Sequence, residues 1–379
     1  MNFEDIIGQL HIKNHLLTSA KQGRIAHAQL FTGKSGSGML PIALAYARQI
    51  LCGSPSENSH SHAMFDKLSH PDLHFVFPVN TNENVKSSHP TSDLFLKDWR
   101  EFASKQPYGD LFDWYQHIGI DNKQGNISVH EALEIYKKMS LKSFEGGYKV
   151  MIIWMADRMN SATSNKLLKL IEEPPKDSVF ILITDSKEQI MQTIYSRCQL
   201  LEFPPINVTA IAKGLEKELQ LLPNEALLLA NKAQGDYQIA LNLKHVDVDE
   251  LKFEEWFITW VRSAFKAKGN KAVVNELILW SENIASNNRE TLKQFLNYCI
   301  EFFRQALLTN YKSESLVYLT PKTGNFQLQK FAPFIHGNNI LPIFEALEVA
   351  QYHIERNGNA KIILTDLSFK LTRFLHVKE

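Results

Sequence analysis

The chain has 379 residues, of which 44% are hydrophobic and 22% are charged, the proportions of an ordinary globular protein. Its 41 Lys and Arg residues balance 41 Asp and Glu residues, so no strong overall field draws it to nucleic acid or to an anionic membrane. These values exclude a largely disordered chain and an autonomous, strongly basic DNA binder. The length allows two or three domains, each with its own core.

Cysteine usage and the N-terminal sequence indicate the compartment. Cys52, Cys198 and Cys299 are too few and too widely spaced for a disulfide framework. The first ten residues, "MNFEDIIGQL", carry an acidic pair where a secretion signal is basic, and no apolar run has the length of a membrane span. We therefore expect a cytoplasmic protein with no membrane partner.

The first structural signal is a strand, a glycine-rich turn and a helix. Residues 27–33, "HAQLFTG", predict a strand, and residues 39–52, "MLPIALAYARQILC", have apolar residues at helical spacing. Gly33 and Gly38 have the spacing of the two glycines in the phosphate-binding pattern G-x-x-x-x-G-K-[ST]. This context is the one that a P-loop requires.

The two residues that give a P-loop its chemistry are missing. Met39 and Leu40 stand where a lysine and a Ser or Thr belong, so neither a charged phosphate contact nor a magnesium ligand is available. Lys34 precedes the turn and lies on the wrong side to replace the lysine. On these residues alone, a glycine-rich connection without any ligand is an equal alternative.

Residues 53–127 have a different composition, rich in Ser, Asn, His and aromatic residues. We interpret this segment as an irregular insertion with one or two short helices. The sequence gives no role for its aromatic residues around Trp99 and Trp114.

The next segment predicts the rest of a sheet. "KVMIIWMA" (149–156) and "SVFILITD" (178–185) are continuous apolar runs, typical of parallel strands covered on both faces. A predicted helix between them ends at Pro174 and Pro175. Alternating strands and helices indicate an α/β domain with a mainly parallel sheet.

A P-loop site is normally completed at the end of the next buried strand by an Asp and a Glu. Those two places fall to Trp154 and Met155. Asp157 comes three residues after the first place, too far to be the same ligand. Polar groups are missing from two separate parts of the site. This favours a nucleotide site that no longer functions over an active site with unusual ligands.

After Pro204 and Pro205 only helical periodicity remains. We predict three domains: an α/β domain over 1–205, a small helical domain over 206–250 and a helical C-terminal domain over 251–379.

Six stretches together resemble a known family. They are "IGQ" (7–9), "AHAQLFTG" (26–33), "HPDLHFV" (70–76), "GGYKVMII" (146–153), "NKLLKLIEEPP" (165–175) and "YSRC" (195–198). The sequence resembles clamp-loader subunits of bacterial DNA polymerase III, most closely the delta-prime subunit family. The resemblance is dense over about the first two hundred residues and thin beyond them. It implies an AAA+ P-loop domain, an all-α lid and an all-α collar through which five subunits form a ring.

The resemblance also implies roles for particular residues. Ser196, Arg197 and Cys198 match the family's Ser-Arg-Cys motif, whose arginine acts in trans as a finger on a neighbour's ATP. Gln238 stands where the lid of an ATPase subunit has a sensor arginine, and Thr184 stands at the first sensor position. Without the family motif, a surface salt bridge at a helix end would be the ordinary interpretation of Arg197.

The function that follows is a non-hydrolysing stator of the clamp loader in a DNA polymerase III holoenzyme. We expect no bound ATP and no zinc, with partners that include the ATPase subunits and a delta-like subunit, and contact with the sliding clamp and primer-template DNA through the ring. One alternative is an active ATPase subunit with unconventional nucleotide ligands. Another is a stand-alone DNA-binding protein, which the neutral charge opposes.

Three other groups of residues are candidates for chemistry. Relatives often carry a four-cysteine zinc module after the loop helix, but the spacing of the Cys and His residues here matches no such module: Cys52, His60, His62, His70 and His74. Glu172 and Glu173 are adjacent on a helix and point in different directions, so they do not share a substrate. Five lysines form either a local surface for DNA phosphates or a solvated face: Lys137, Lys138, Lys142, Lys166 and Lys169.

Overall fold

A computed structural model describes the chain except for residues 54–58, 121–122, 244–246, 314–315, 320, 325 and 379. The described residues form two compact units, Met1–Lys244 and His245–Glu379. Each unit has its own buried apolar core.

The first unit is built on a five-stranded parallel sheet with the strand order β2-β3-β4-β1-β5. Its strands are β1 (Ala28–Gly33), β2 (Leu73–Val76), β3 (Lys149–Trp154), β4 (Ser178–Thr184) and β5 (Gln199–Phe203). Every residue of β3 and β4 is buried, which explains why both strands are continuous apolar runs in the sequence.

Eleven α-helices accompany this sheet among the described residues of the first unit. They are α1 (Leu10–Lys21), α2 (Met39–Cys52), α3 (Ser59–Asp66), α4 (Leu96–Lys105), α5 (Leu111–His117), α6 (Val129–Ser140), α7 (Ser161–Glu172), α8 (Gln192–Tyr195), α9 (Val208–Leu219), α10 (Pro223–Lys232) and α11 (Tyr237–Leu243). Helix α2 is buried along most of its length on one face of the sheet, whereas α6 and α7 cover the other face. Helices α9 to α11 contribute to the same core as α2.

The two faces of β3 belong to different cores because successive strand side chains point to opposite sides. Val150, Ile152 and Trp154 pack on the α2 side. Met151 and Ile153 pack on the side of α6 and α7. The residue at the end of β3, Trp154, therefore lies on the same face of the sheet as the glycine-rich loop and α2.

The prediction of an irregular insertion over 53–127 is wrong in one important respect. The segment contains β2, which pairs in parallel with β3 from Leu73 opposite Val150 to Val76 opposite Ile153. It also contains three α-helices, α3, α4 and α5. A four-residue strand interrupted by His74 lacks the long apolar run of β3 and β4, so the sequence pattern did not distinguish it from loop.

The second unit is helical. Its helices are α12 (Asp247–Ala267), α13 (Lys271–Ala285), α14 (Arg289–Asn310), α15 (Leu328–Phe331), α16 (Gly337–Glu355) and α17 (Ala360–Phe374). Aromatic side chains dominate its core. Trp260 is fully buried, stacks on Trp280 at a ring separation of 5.2 Å, and donates its indole N–H to the Ser368 hydroxyl over 2.8 Å. Large aromatic side chains thus contribute to the buried apolar surface that stabilises this unit.

The predicted fold class is confirmed: a P-loop-type α/β region with a parallel sheet is followed by an all-α region. Among the residues that the structure describes, no helix is long and apolar enough to cross a membrane.

Candidate functional site

The glycine-rich loop between β1 and α2 keeps the shape of a phosphate-binding turn. Gly36 and Gly38 have φ angles of +71° and +93°, a left-handed region that glycine adopts without strain. The Ser37 amide donates to the Lys34 carbonyl over 3.2 Å, which closes the turn, and α2 begins at Met39. The backbone geometry is thus preserved although the lysine and hydroxyl side chains are absent.

Gln9 fixes this loop to the end of the sheet. Its side-chain amide donates to the Ser37 carbonyl over 3.0 Å and to the Pro204 carbonyl over 2.6 Å. One side chain therefore links the loop to the residues that follow β5. This gives a structural role to the "IGQ" stretch, whose role the sequence did not reveal.

The positions that would hold lysine, hydroxyl and acidic groups are all part of the apolar core. Met39, Leu40, Trp154 and Met155 are each at most 5% exposed. Met155 adopts a φ of +52°, which places the chain in a left-handed turn directly after β3. The site has not simply lost its polar groups, because apolar side chains pack in their place.

Aromatic residues of the 53–127 segment cover Trp154. The ring of Trp99 lies 5.2 Å from that of Trp154, and the ring of Phe102 lies 5.9 Å from it. Trp114 packs edge-on against Trp99 at 5.3 Å and donates its indole N–H to the Pro78 carbonyl over 2.8 Å. Both tryptophans that had no role in the sequence interpretation are fully buried and close the site from this side.

Tyr108, in the turn between α4 and α5, closes the mouth of the loop. Its hydroxyl accepts a hydrogen bond from the Ile7 amide over 2.8 Å. A Cβ placed on Gly38 would lie 3.5 Å from the Tyr108 ring, so the ring is in contact with the loop. The cavity that remains between Tyr108, the loop and Trp154 has a volume of about 20 Å³. Such a cavity has room for roughly one water molecule, whereas small-ligand sites have volumes of ~300 Å³ or more.

Asp236 adds negative charge beside the same loop. A Cβ on Gly36 would lie 1.9 Å from an Asp236 carboxylate oxygen, so the carboxylate lies directly against the loop backbone. The amide of Tyr237 donates to the Gly36 carbonyl over 3.2 Å, which ties the start of α11 to the loop. Burial, together with the nearby charges of Asp110 and Asp113, raises the pKa of Asp236 to about 7. A polyphosphate at the loop would meet the Asp236 carboxyl group where an active site offers a cation.

The polar groups at the ends of β3 and β4 are bonded to each other. The Thr184 hydroxyl donates to Asp157 over 2.8 Å, and the Arg158 side chain lies 2.9 Å from the same carboxylate. Burial raises the pKa of the adjacent Asp185, and the charge of Asp157 adds to this rise. Thr184 and Asp157 are thus engaged internally.

Gln238, at the lid position where an arginine is expected in an ATPase subunit, lies on α11. Its amide donates to the Asn242 side chain over 3.1 Å, within the same helix. It does not line the small cavity at the loop.

Arg197 presents the opposite situation, because its side chain is 41% exposed. Its guanidinium lies 2.7 Å from Glu172 at the end of α7 and donates to the Thr193 carbonyl over 3.0 Å. The neighbouring Ser196 hydroxyl also donates to Thr193, over 3.2 Å. Cys198 is partly buried, and burial raises the pKa of its thiol to about 12, so it is not a reactive thiolate. The surface salt bridge considered as the ordinary role of Arg197 is therefore present.

The candidate zinc residues are only partly brought together. The Ser61 hydroxyl donates to the Cys52 sulfur over 3.4 Å, and the His70 ring nitrogen lies 2.9 Å from the same hydroxyl. His62 instead accepts from Arg48 over 3.2 Å, whereas His60 is exposed. Within the described ranges, no group of three or more His, Cys, Asp or Glu residues is placed to hold a metal ion.

The candidate lysines lie on or directly after two helices on one face of the sheet. Lys137 and Lys138, on α6, pair with Glu134 and Asp93 respectively. Three further candidates are exposed: Lys142, Lys166 and Lys169. Glu172 and Glu173 are both exposed, and the ion pair with Arg197 is made by Glu172.

Sequence reasoning missed three residues that shape this site: Gln9, Tyr108 and Asp236. Each contacts the loop from a segment that is distant in sequence. The contact therefore could not be predicted from a local sequence pattern. The one available signal was glycine at position 36, because a close approach of another chain segment is a common reason for glycine in a turn.

The fold and the site together define a class: a P-loop-type α/β protein in which buried apolar side chains pack beside the glycine-rich loop. A family model described as "DNA polymerase III, delta subunit" matches residues 8–207, more than half of the chain. The chain belongs to this family of clamp-loader subunits.

The chain is also similar to several individual proteins. The chain is 30% identical over 227 residues to DNA polymerase III subunit delta' of Bacillus subtilis, over 59% of this chain and 55% of that protein. It is 29% identical over 248 residues to subunit tau of the same organism, over 64% of this chain and 37% of that one. A gamma subunit-related protein of Thermotoga maritima has a similar structure, with a TM-score of 0.40 and 14% identity over 95% of this chain and 99% of that chain. The chain thus aligns with about half, or less, of the length of these two Bacillus subtilis relatives.

Proposed function

We propose that the protein is a clamp-loader subunit that neither binds nor hydrolyses ATP and that acts as a stator in the ring. The observation that carries this proposal is the filled loop. Met39 and Trp154 are buried in the core, Tyr108 closes the mouth, and the cavity that remains has about 20 Å³. ATP could enter only if several buried aromatic side chains moved together, at a cost of several kcal/mol.

The same proposal assigns Arg197 a role in trans. An arginine finger must reach a neighbour's phosphates. It therefore has to be exposed, and breaking its contacts within its own subunit must require little free energy. Arg197 is 41% exposed, and its charged partner, the exposed Glu172, forms a kind of ion pair that contributes at most about 1 kcal/mol. Its other contacts are hydrogen bonds to the nearby Thr193 carbonyl and Ser196 hydroxyl. Release of Arg197 from Glu172 is therefore a small part of the free energy of subunit association.

The proposed partners follow from the family. The AAA+ domain over 1–205, the lid over 206–250 and the collar over 251–379 would assemble with tau- or gamma-like ATPase subunits and a delta-like subunit. The sliding clamp and primer-template DNA would be contacted by the assembled ring. The balance of 41 basic and 41 acidic residues supports DNA contact shared among subunits over tight binding by this chain alone.

The filled loop is tested by equilibrium dialysis of the isolated chain against labelled ATP with and without magnesium. We expect no saturable binding up to about 1 mM, a concentration at which an ATPase subunit used as a positive control is saturated. Tyr108→Ala should bind no better, because Met39 and Trp154 still occupy the site.

Magnesium-dependent binding or turnover by the wild-type chain would contradict the proposal and support an ATPase with unconventional ligands. Binding that is gained only in Tyr108→Ala would show that the tyrosine alone closes an otherwise functional pocket.

A further inference from the structure

The second unit contains a groove with two walls. One wall is a face of α12, where Val261, Arg262, Phe265 and Lys266 follow each other at helical spacing. The other wall is formed by Gly324 and by residues of the segment 326–334, which includes α15. The groove has a volume of about 380 Å³. This volume is within the usual range of ligand sites, ~300–1,000 Å³.

The interior of the groove is apolar. Val261 and Phe331 form a buried base and are 4% and 7% exposed. Phe265 and Phe334 stand above it with 42% and 40% of their surfaces exposed, and their rings meet edge-on at 4.9 Å. Paired, half-exposed phenylalanines beside a cavity form the kind of surface that buries an apolar group of a partner.

The rim of the groove is positively charged. Arg262, Lys266 and Lys330 are exposed and line it, and the part of its lining that the structure describes contains no acidic residue. Lys266 and Lys330 make no ion pair with any described residue, whereas Arg262 lies 6.0 Å over the Phe326 ring. Because the whole chain has no net charge, these three cations are a local feature and not a general excess.

The geometry points to an acidic peptide as the occupant. We propose that the groove binds a short segment of another protein in which carboxylates flank one large apolar side chain. The apolar side chain would enter the depression over Val261 and Phe331, against the exposed parts of the Phe265 and Phe334 rings, and the flanking carboxylates would pair with Lys266 and Lys330. Charge complementarity at such a rim sets specificity and the rate of association.

Single-stranded nucleic acid fits the groove less well. Bases bind to proteins by stacking on open aromatic faces along a positively charged track. Here Phe265 is stacked on His376 at 4.9 Å, and Phe326 packs against Phe331 at 5.5 Å. The rings are engaged with each other, and the groove is a single depression.

The test uses the full-length chain and a fluorescein-labelled peptide with one Phe between Asp-Glu pairs. We expect saturable binding, by fluorescence anisotropy, with a Kd of about 10–100 μM that weakens as salt is raised. A peptide with Ser in place of Phe should bind at least ~10-fold more weakly, and a labelled oligothymidine of similar length should not compete.

Charge reversal locates the site. Lys266→Glu combined with Lys330→Glu should weaken peptide binding about 10-fold or more, because each substitution replaces an attraction by a repulsion. Lys268→Glu is the matched control, since Lys268 is exposed on the same stretch of chain but does not line the groove. All these positions are at the surface, so far-UV circular dichroism should be unchanged.

Four results would overturn the proposal. They are no saturable binding of the acidic peptide, an equal loss of binding in Lys268→Glu, groove-dependent binding of the oligothymidine in place of the peptide, and undiminished peptide binding in Phe265→Ala.

Discussion

Two regions of the first unit differ in their exposure to solvent: the glycine-rich loop is covered by buried side chains, whereas the segment around Arg197 lies at the surface. The loop keeps its backbone shape, but Met39, Trp154 and Tyr108 fill its site. Arg197 keeps an exposed, charged side chain that is held at the surface by Glu172, the Thr193 carbonyl and the Ser196 hydroxyl. In the function we propose, the fold keeps the turn for structural reasons, while the exposed Arg197 serves a site in another molecule.

The packing around the loop indicates that more than a missing lysine would keep nucleotide from binding there. A P-loop that lacked only its lysine would leave an open, solvated cavity. In this protein Trp99 and Phe102 pack on Trp154, and Asp236 lies against Gly36. The region that would hold nucleotide is now part of the hydrophobic core, so its residues contribute to folding.

The largest expected effect comes from restoring an acidic residue at the end of β3. Trp154→Asp should lower the free energy of unfolding by about 4 kcal/mol or more, because it leaves a cavity and buries a carboxylate among aromatic rings. Urea denaturation followed by circular dichroism measures this. Trp154→Phe, which keeps an apolar ring, should cost about half as much or less.

Near-wild-type stability of Trp154→Asp, together with magnesium-dependent ATP binding, would mean that the site is open and that the contrast between the two regions is wrong.

A smaller effect with the opposite sign is expected at Asp236. Burial raises its pKa from 3.8 to about 7, so the folded state holds a proton that the unfolded state releases between these values. Its contribution is present below about pH 4 and is lost as the pH rises through 7. Asp236→Asn should therefore raise the free energy of unfolding by about 1–3 kcal/mol at pH 8 and by much less at pH 4.

Denaturation at both pH values, with Asp366→Asn as an exposed control, checks this prediction. An Asp236→Asn variant that is destabilised equally at pH 4 and pH 8 would show that the carboxylate is not strained by its position at the loop.

Most of the main strands and helices of the first unit could be predicted from the sequence, but only part of the residue arrangement around the glycine-rich loop could. β1, α2, β3 and β4 were recognisable because long apolar runs and helical periodicity are local properties. β2 was missed because it has four residues, one of them His74. The spacing of the motif predicted that Met39 and Trp154 occupy the ligand positions. The positions of Tyr108 and Asp236 at the loop could not be predicted, because they depend on contacts between segments that are distant in sequence.

The proposed role in trans, in which this chain contributes one catalytic group, Arg197, to a neighbouring subunit, can be tested directly. The measurement is clamp- and DNA-stimulated ATP hydrolysis by a reconstituted ring that contains the wild-type chain, Arg197→Ala or Lys187→Ala. Lys187 is the matched control, because it is also 41% exposed and ion-paired, in its case with Glu202. All three chains should assemble equally, and each substitution should change the free energy of unfolding by less than about 1 kcal/mol.

We predict that hydrolysis falls about 10-fold or more with Arg197→Ala and stays at the wild-type level with Lys187→Ala. Unchanged hydrolysis in a fully assembled Arg197→Ala ring would contradict the claim and would leave Arg197 as a surface salt-bridge partner of Glu172.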